Sequence, residues 1–237
     1  MSEPALLSVH GLSNGYGGKP VLQGIELDVQ PGEIVAVIGR NGVGKTTLMR
    51  SLVGLLPAQS GSIRFRQMPV ERLPAHRRAR LGIGYVPQGR DVFPRMTVEE
   101  NLSVGRAAGS GGAARDFELV YASFPVLRER RRQPAGTLSG GQQQQLAIGR
   151  VLIGRPVLML LDEPSEGIQP SIVQDIARIG TELNRAQGLT IVLVEQNIDM
   201  IRAMAQRCYV MDKGRLIATL TPAMLDDRDL VRRYLAV

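Results

Sequence analysis

GRNGVGKTT, at residues 39–47, is the stretch of this sequence that decides the fold. It matches the pattern G-x-x-x-x-G-K-[ST] in the context that the pattern requires, with a strand before it and a helix after it. The continuous apolar run EIVAVIG (33–39) predicts a buried strand, and KTTLMRSLVGLL (45–56) has the spacing of a helix. The glycines let backbone N–H groups point inward at the start of that helix, which creates a site for anions. The stretch therefore predicts a phosphate-binding loop.

Two side chains of this loop carry the predicted chemistry. Lys45 places a compact charge on the β- and γ-phosphates of a nucleotide, and Thr46 offers a hydroxyl to Mg²⁺. Lys45 is one of three lysines in a chain with 26 arginines, and an arginine fork would not fit such a cradle. The alternative, an ordinary glycine-rich loop, leaves this context unexplained. The predicted nucleotide contacts in the loop are Gly39, Asn41, Gly42, Gly44, Lys45, Thr46 and Thr47.

The run VLMLLDEP (157–164) supplies the carboxylates that such a loop needs. Asp162 lies at the carboxyl end of a predicted buried strand, where open α/β sheets bind their ligands. It can reach the Mg²⁺ shell directly or through water, and Glu163 can orient and deprotonate an attacking water. The alternative is a pair of solvated carboxylates at a strand end. Together with the phosphate loop, these residues predict a P-loop NTPase.

The order of predicted elements gives the fold class, α/β. Strands alternate with helices, which predicts a mostly parallel sheet, and the first strands of the chain are expected to form its antiparallel edge. About 115 residues separate Lys45 from Asp162, whereas a βαβ unit needs only about 30. We therefore expect one domain over residues 1–237, with a core of 1–88 and 155–237 and an inserted helical subdomain at 89–154.

Three segments of the inserted subdomain are predicted to be helical. They are TVEENLSVG (97–105), DFELVYASFPVLRERR (116–131) and SGGQQQQLAIGRVLIG (139–154). The first and the third open with Thr or Ser, which are good N-caps. GSGGAA (109–114) is expected to be a flexible connection between them.

Composition limits the compartment and the partners. The net charge of +7 is consistent with nucleic acid or an anionic membrane surface as a partner, but the arginines are dispersed, which favours an ordinary solvated surface. No run approaches 18 apolar residues, so no spanning segment is expected, and the first residues do not resemble a signal peptide. A single cysteine, Cys208, excludes an internal disulfide and indicates a reducing cytoplasm. No zinc site is expected.

A second candidate anion site lies in LSGGQ (138–142). Ser139 and the two glycines stand at the start of a predicted helix, whose N-terminus favours negative charge. The alternative is a helix N-cap with no further role.

Taken together, GRNGVGKTT, VPQG, LSGGQ, LLDEP and LVEQN resemble, in order and spacing, the ATP-binding cassette (ABC) ATPases, and the resemblance covers essentially the whole chain. It implies two chains that associate head to tail about a two-fold axis. It also implies that each ATP, with Mg²⁺, lies between the phosphate loop of one chain and a signature segment of the other. That segment consists of Ser139, Gly140, Gly141 and Gln142.

The resemblance assigns roles to three further residues. Tyr16 is similar to the aromatic residue that stacks on adenine, although an exposed turn tyrosine is the alternative, and Val21 is expected at the nucleotide as well. Gln88 resembles the glutamine that contacts Mg²⁺ and water and connects the two lobes. The groove near residues 88–101 would hold short helices of a membrane subunit.

Two residues depart from the family pattern. Gln196, in LVEQN (193–197), falls where a histidine is usual. A primary amide can donate and accept hydrogen bonds, as neutral imidazole does, but it does not take up a proton. This favours Glu163 as the catalytic base and Gln196 as a γ-phosphate sensor, with an ordinary strand-end glutamine as the alternative. Gln169 stands where an aspartate is common in the loop that crosses the dimer.

The glutamine in VEQN (194–197) resembles the branch of ABC importers that serves branched-chain amino acid uptake. Within that branch, the ATPase subunit of bacterial urea importers is most similar in four motifs, RNGVGKTT, VPQGRDVFPRMTVEENL, LSGGQQQQLAIGR and EPSEGIQPSIVQDI. The resemblance implies a peripheral subunit on the cytoplasmic face of the inner membrane. Its expected partners are integral-membrane permease subunits, a second ATPase subunit in a mixed dimer or a homodimer, and indirectly a periplasmic solute-binding protein. Nucleic acid is not expected.

Three alternatives remain at this point. The solute can be a branched-chain amino acid or a short amide instead of urea. The chain can be an ABC ATPase without a transport role, or a P-loop kinase or GTPase, although the last leaves LSGGQ unexplained.

Overall fold

A computed structural model describes residues 4–109 and 113–235. Its strands are β1 Leu7–Tyr16, β2 Lys19–Val29, β3 Ile34–Ile38, β4 Ser60–Phe65, β5 Met68–Pro69, β6 Ile83–Val86, β7 Leu158–Asp162, β8 Thr190–Val194, β9 Arg207–Asp212 and β10 Arg215–Leu220. Its α-helices are α1 Lys45–Val53, α2 Ala75–Arg80, α3 Val98–Val104, α4 Ala114–Ser123, α5 Pro125–Glu129, α6 Gly140–Ile153, α7 Pro170–Gln187, α8 Ile198–Met204 and α9 Arg228–Leu235. Within these described residues, every helix is too short or too polar to cross a bilayer.

The larger sheet has six strands in the order β10-β9-β3-β8-β7-β6. The five strands from β9 to β6 are parallel, and every residue of β3, β7 and β8 is buried. Continuous apolar runs such as IVAVI and LMLLD suit strands that are covered on both faces. Because these strands are parallel and adjacent, the carboxyl ends of β3, β7 and β8 meet at one edge of the sheet.

The antiparallel edge of this sheet comes from a different part of the chain than the sequence predicted. The N-terminal strands form a separate four-stranded sheet in the order β2-β1-β4-β5. β1 pairs with β2 along one edge and with β4 along the other, so no edge of β1 is left for the parallel strands. The antiparallel edge strand is β10 instead, which folds back on β9 through a turn at Lys213 and Gly214.

The segment between β6 and β7 is helical in the residues that the structure describes, with α3, α4, α5 and α6 and short 3₁₀ turns. α3 begins with a capping box in which Thr97 and Glu100 satisfy each other's backbone N–H groups. The segment predicted to be helical over 116–131 forms two helices, which are separated at Phe124 before Pro125. A proline disfavours helical backbone in the residue before it. The connection predicted at 109–114 falls partly on residues 110–112, which lie outside the described residues.

Two large apolar clusters position the elements. One fills the space between the two sheets and contains α1, which carries the phosphate loop at its start. The other lies on the opposite face of the parallel sheet and joins the helical segment to α7. The loops at the carboxyl ends of β3, β7 and β8 are therefore held from both sides by packed core.

Candidate active site

The loop at residues 39–47 joins β3 to α1. α1 begins at Lys45, and its N-cap Gly44 has a φ of 116°, which other residues rarely adopt. Gly39 has no room for a side chain, because a Cβ there would lie 2.3 Å from the carbonyl oxygen of Met211. The sequence thus needs glycine at these positions for the chain to wrap tightly around an anion.

Lys45 is buried, with 3% of its surface exposed. Its Nζ donates to the carbonyl oxygens of Gly39 at 2.9 Å and Arg40 at 3.1 Å. It also lies 3.3 Å from Oε1 of Glu163, so the predicted phosphate-binding cation and the predicted base form an ion pair. An incoming polyphosphate would compete with Glu163 for this ammonium.

Asp162 ends β7 with 1% of its surface exposed. Its Oδ1 accepts a hydrogen bond from Thr46 Oγ1 at 3.2 Å, and its Oδ2 accepts one from the Tyr85 hydroxyl at 3.1 Å. Burial raises the pKa of Asp162, and the hydrogen bonds from Tyr85 and Thr46 oppose that rise. A hydroxyl and a carboxylate side by side are oxygen donors of the kind that Mg²⁺ prefers, so these residues fit the predicted metal.

A metal at this position would need further ligands. The described residues contain no group of three or more His, Cys, Asp or Glu that could hold an ion without help. Mg²⁺ in nucleotide sites usually takes one or two carboxylates together with substrate phosphates, which agrees with the small donor set here.

Glu163 follows β7 with a φ of 48°, a left-handed conformation that is uncommon for a residue with a side chain. Its backbone N–H donates to the carbonyl oxygen of Val194 at 2.9 Å, which fixes the turn against β8. Its carboxylate accepts hydrogen bonds at 3.2 Å from the amides of Gln88 and Gln196. Strained backbone at a side chain with this many polar partners is typical of a functional site.

Gln196 lies just beyond β8 and faces the phosphate loop. Its Nε2 donates to Asn41 Oδ1 at 2.7 Å and to Glu163 Oε1 at 3.2 Å. The amide therefore joins the loop to the carboxylate, which a glutamine at an ordinary strand end would not do. Its role as a γ-phosphate sensor stays a prediction.

Most of the predicted nucleotide contacts line one open cleft of about 400 Å³, but Gly39 does not. The residues that line it are Val21, Asn41, Gly42, Gly44, Lys45, Thr46, Thr47, Gln88 and Glu163. Tyr16, at the turn between β1 and β2, is 44% exposed and does not line the cleft. Its hydroxyl lies beside Arg50, where hydrogen bonding raises the pKa of the guanidinium.

The signature segment also lies outside this cleft. Ser139 caps α6 and shares a capping box with Gln142, while Gly140 and Gly141 form the first turn. None of these residues lines the cleft. The structure of one chain therefore brings together the phosphate loop, Asp162, Glu163, Gln88 and Gln196, and leaves the signature segment apart from them.

Sequence reasoning missed Glu195, a carboxylate that organises the site. Glu195 is 2% exposed, and its Oε1 accepts the Ser165 N–H at 2.9 Å. Its Oε2 accepts the N–H groups of Gln196 at 2.6 Å and Asn197 at 2.8 Å. It thereby joins the turn after β7 to the turn after β8. The signal was a carboxylate at the end of an apolar strand, which needs partners when it is buried.

Comparisons with known proteins agree with this geometry. A family model described as "ABC transporter" matches residues 22–166. The high-affinity branched-chain amino acid transport ATP-binding protein BraG of Pseudomonas aeruginosa is 44% identical over 231 residues, which cover 96% of this chain and 97% of BraG. The lipopolysaccharide export system ATP-binding protein LptB of Escherichia coli is 36% identical over 237 residues, covering 98% and 97%.

The fold has close counterparts among solved structures. A nucleotide-free ATP-binding cassette from an ABC transporter superposes with a TM-score of 0.84 at 26% identity, covering 96% of this chain and 97% of that one. The similarity extends over both the parallel core and the helical segment, since nearly all of each chain is aligned.

Proposed function

This chain belongs to the family of ABC transporter ATPases, and on that premise we propose that it is the ATP-hydrolysing subunit of a branched-chain amino acid importer. The observation that carries the proposal is the 44% identity with BraG along nearly the full length of both chains. LptB, which is named for export, is less similar at 36%.

The solute proposed here differs from the one that the sequence motifs favoured. The motifs resembled urea importers most closely, whereas the relatives support the alternative of branched-chain amino acids. Urea stays as the rival solute. No residue described in this chain distinguishes the two, because the solute passes through the membrane subunits.

In the proposed mechanism, the phosphate loop and Lys45 bind the β- and γ-phosphates of ATP at the cleft. Thr46 and Asp162 would hold Mg²⁺, with Gln88 as a further oxygen ligand, and the ion would supply charge neutralisation at the phosphates. Arrival of the phosphates draws Lys45 away from Glu163. The Glu163 carboxylate is then available to take a proton from the attacking water.

Gln196 acts beside the base in this proposal. Its amide already contacts Asn41 of the loop and Glu163, so it can donate to the γ-phosphate without a large rearrangement. Glu195 holds the backbone of the turn that carries it. Because the amide does not take up a proton, general base catalysis rests on Glu163 alone.

A partner chain would complete the site. The N-terminus of α6 would face the nucleotide of the partner, through Ser139, Gly140, Gly141 and Gln142. Tyr16 and Val21 would lie beside the adenine of the nucleotide that the chain itself binds. The separation of the signature segment from the cleft within one chain agrees with this arrangement. We propose a sister ATPase as the partner in a mixed dimer, with a homodimer as the alternative.

The membrane partners would bind between the core and a helical subdomain spanning about residues 89–154. A groove of about 340 Å³ lies there, lined mainly by apolar residues of α1, α2, β6, α3 and α6, and not by residues 88–101, where the sequence motifs placed it. Leu55 at this groove is 59% exposed and Val104 is 38% exposed. We propose that short helices of two integral-membrane permease subunits bind here, which places the chain on the cytoplasmic face of the inner membrane and links it indirectly to a periplasmic binding protein.

Affinity purification tests this proposal. The tagged chain is recovered from detergent-solubilised membranes, and the bound proteins are identified by mass spectrometry. We expect multi-spanning permease subunits with the wild-type chain and their loss with Leu55→Arg. The matched control is Ile217→Arg, at a residue that is 50% exposed on β10, away from the groove. Recovery of nucleic acid without permease subunits would contradict the transport role.

A further inference from the structure

The turn that follows Gln88 has an unusual backbone. Three consecutive residues are left-handed, with φ of 85° at Gly89, 74° at Arg90 and 45° at Asp91. Glycine adopts this conformation readily, but arginine and aspartate do not. The turn is held by hydrogen bonds from the Arg90 N–H to Pro87 and from the Asp91 N–H to Gly89. Its effect is to direct the Arg90 side chain back toward the core.

The guanidinium of Arg90 contacts two other segments. Its Nη2 donates to the carbonyl oxygens of Glu166 and Gly167, each at 3.2 Å. Its Nη1 lies against Gly140 at the start of α6, where an added Cβ would be only 2.8 Å away. Arg90 therefore lies between the loop that leads into α7 and the signature segment.

Gln88 makes an independent link between the same turn and the same loop. Its Nε2 donates to Glu166 Oε2 at 2.9 Å and to Glu163 Oε2 at 3.2 Å. Two side chains, two residues apart, thus bind residues 163–167 in parallel. A change in the position of the turn would be transmitted both to the Glu163 carboxylate and to the backbone at Gly167.

The other end of the turn leads toward the groove proposed for the permease. The Arg90 carbonyl oxygen accepts a hydrogen bond from Arg150 at 3.5 Å, and the Arg150 guanidinium lies 5.2 Å from the ring centroid of Phe93. The Phe93 N–H and carbonyl are both held by the buried Asn101 of α3. Arg150 itself lines the groove, so a continuous chain of contacts runs from the groove to Arg90.

A contact that only holds two surface segments together does not account for the position of the Arg90 guanidinium. The N-terminus of a helix carries partial positive charge, so a cation at the start of α6 is unfavourable. The left-handed backbone at Arg90 adds a conformational cost. Both costs are explained if the contact serves a state in which the phosphates of a partner's nucleotide lie at the start of α6.

We propose that Arg90 is a positioning residue. It ties the permease-facing turn to the signature segment and to the loop at 166–170, and so sets where both lie against the partner's nucleotide. This inference rests on the proposed function, because it needs a dimer with nucleotide between the chains. It assigns no contact with the reacting atoms to Arg90.

Steady-state hydrolysis and ATP binding of Arg90→Ala test the proposal, with Arg132→Ala, at an exposed arginine, as the control. We expect kcat to fall roughly ten- to hundredfold, because small misplacements of catalytic groups lower the rate by this order. The affinity of the isolated chain for ATP should stay unchanged, because its own cleft does not include Arg90. Arg90→Lys keeps a cation that can donate to the carbonyl oxygens of Glu166 and Gly167 but loses the planar guanidinium whose Nη1 lies against Gly140, so it should give an intermediate kcat.

ATP-driven dimerisation provides a second measurement. In a Glu163→Gln background, Arg90→Ala should weaken the dimer formed with ATP, while Arg132→Ala should not. An unchanged kcat and an unchanged dimer would overturn the inference, and so would a parallel loss of ATP affinity. If the wild-type chain, assembled with the partner ATPase recovered with it, hydrolyses no ATP under these conditions, the proposed function fails, and that result is distinct from a failure confined to Arg90.

Discussion

The Glu163 carboxylate is the residue on which hydrolysis depends in this account. It lies within 3.3 Å of Lys45 and 3.2 Å of both Gln88 and Gln196. Glu163→Gln keeps the shape of the side chain but removes the base. We expect phosphate release to fall by about 10²–10⁴-fold, which is the usual contribution of general base catalysis. ATP binding and ATP-dependent dimerisation should persist, and full hydrolytic activity would remove Glu163 from this role.

Gln196 is expected to matter for the rate of hydrolysis more than for binding. Gln196→Ala loses the amide that joins Asn41 to Glu163. The loss of one hydrogen bond of ordinary strength corresponds to about a tenfold fall in kcat. Phosphate release and ATP affinity are measured together, with the exposed Gln174→Ala as the control. An unchanged kcat would return Gln196 to the status of an ordinary strand-end residue.

Asp162 should lower the stability of the empty protein at neutral pH. Burial raises the pKa of Asp162 in the folded state above its value in the unfolded chain. The protonated side chain therefore favours the folded state at low pH, and this contribution to the free energy of unfolding is lost as the pH rises through the pKa of the folded state. Asp162→Asn avoids this loss of stability, because asparagine stays neutral at every pH. We expect its melting temperature to exceed the wild-type value at pH 7, by on the order of 2–4 °C.

The difference between these two proteins should shrink when both are measured in acid without nucleotide or metal. Equal melting temperatures at pH 7 would contradict the assigned cost of this buried charge. Hydrolysis by Asp162→Asn should be lost at the same time, since the residue is proposed to hold Mg²⁺.

Individual site residues could be predicted from sequence where a motif fixes both type and spacing. The phosphate loop, Asp162 and Glu163 are of this kind, and the structure places them together. Glu195 could not be predicted in the same way, because its role depends on three backbone N–H groups from two separate turns. Arg90 was missed because its direction is set by left-handed backbone, which no residue pattern indicated.

At the scale of elements, α1 depends on a buried arginine outside the predicted motifs. Arg78 of α2 has no exposed surface, and burial lowers its pKa to about 10. Its guanidinium donates to the carbonyl oxygens of Ser51 at 2.7 Å and Leu52 at 2.8 Å near the end of α1. It also binds those of Glu71 at 3.0 Å and Leu73 at 2.9 Å. It therefore satisfies carbonyl groups that the helix end leaves open.

Arg78→Met should destabilise the fold by about 3 kcal/mol or more, because several buried carbonyl groups lose their donor at once. The neighbouring Arg77 is exposed, and Arg77→Met is the matched control on the same short helix. Urea denaturation measures both. Equal midpoints for the two variants would show that the four hydrogen bonds of Arg78 contribute little.

Helices and strands could be predicted where the residues of the element itself carry a clear pattern. Long periodic segments such as α6 and α7, and buried strands such as β7, follow from the residue pattern alone. α2 was missed, since half of its six residues are arginine and it forms because Arg78 is buried. The break at Phe124 shows the reverse case, in which Pro125 overrides an otherwise helical pattern.

At the scale of the whole molecule, the parallel sheet and the inserted helices follow from the order of the elements, but the placement of the N-terminal strands does not. The alternation of apolar and polar residues along β1 and β2 does not indicate whether these strands extend the parallel sheet or form another sheet. The pairing of β1 with β4 decides it, and that contact joins residues about 50 positions apart. The signature segment likewise acquires its proposed role only in a dimer.

The most direct test of the central claim is uptake of labelled leucine, beside labelled urea, in cells from which this gene has been deleted and then restored. We predict that leucine uptake is lost on deletion and recovered with the intact gene but not with Lys45→Ala, while urea uptake is unchanged. Loss of urea uptake alone would contradict the proposed solute and support the rival one. Unchanged uptake of both solutes would contradict the assignment to this class of importer.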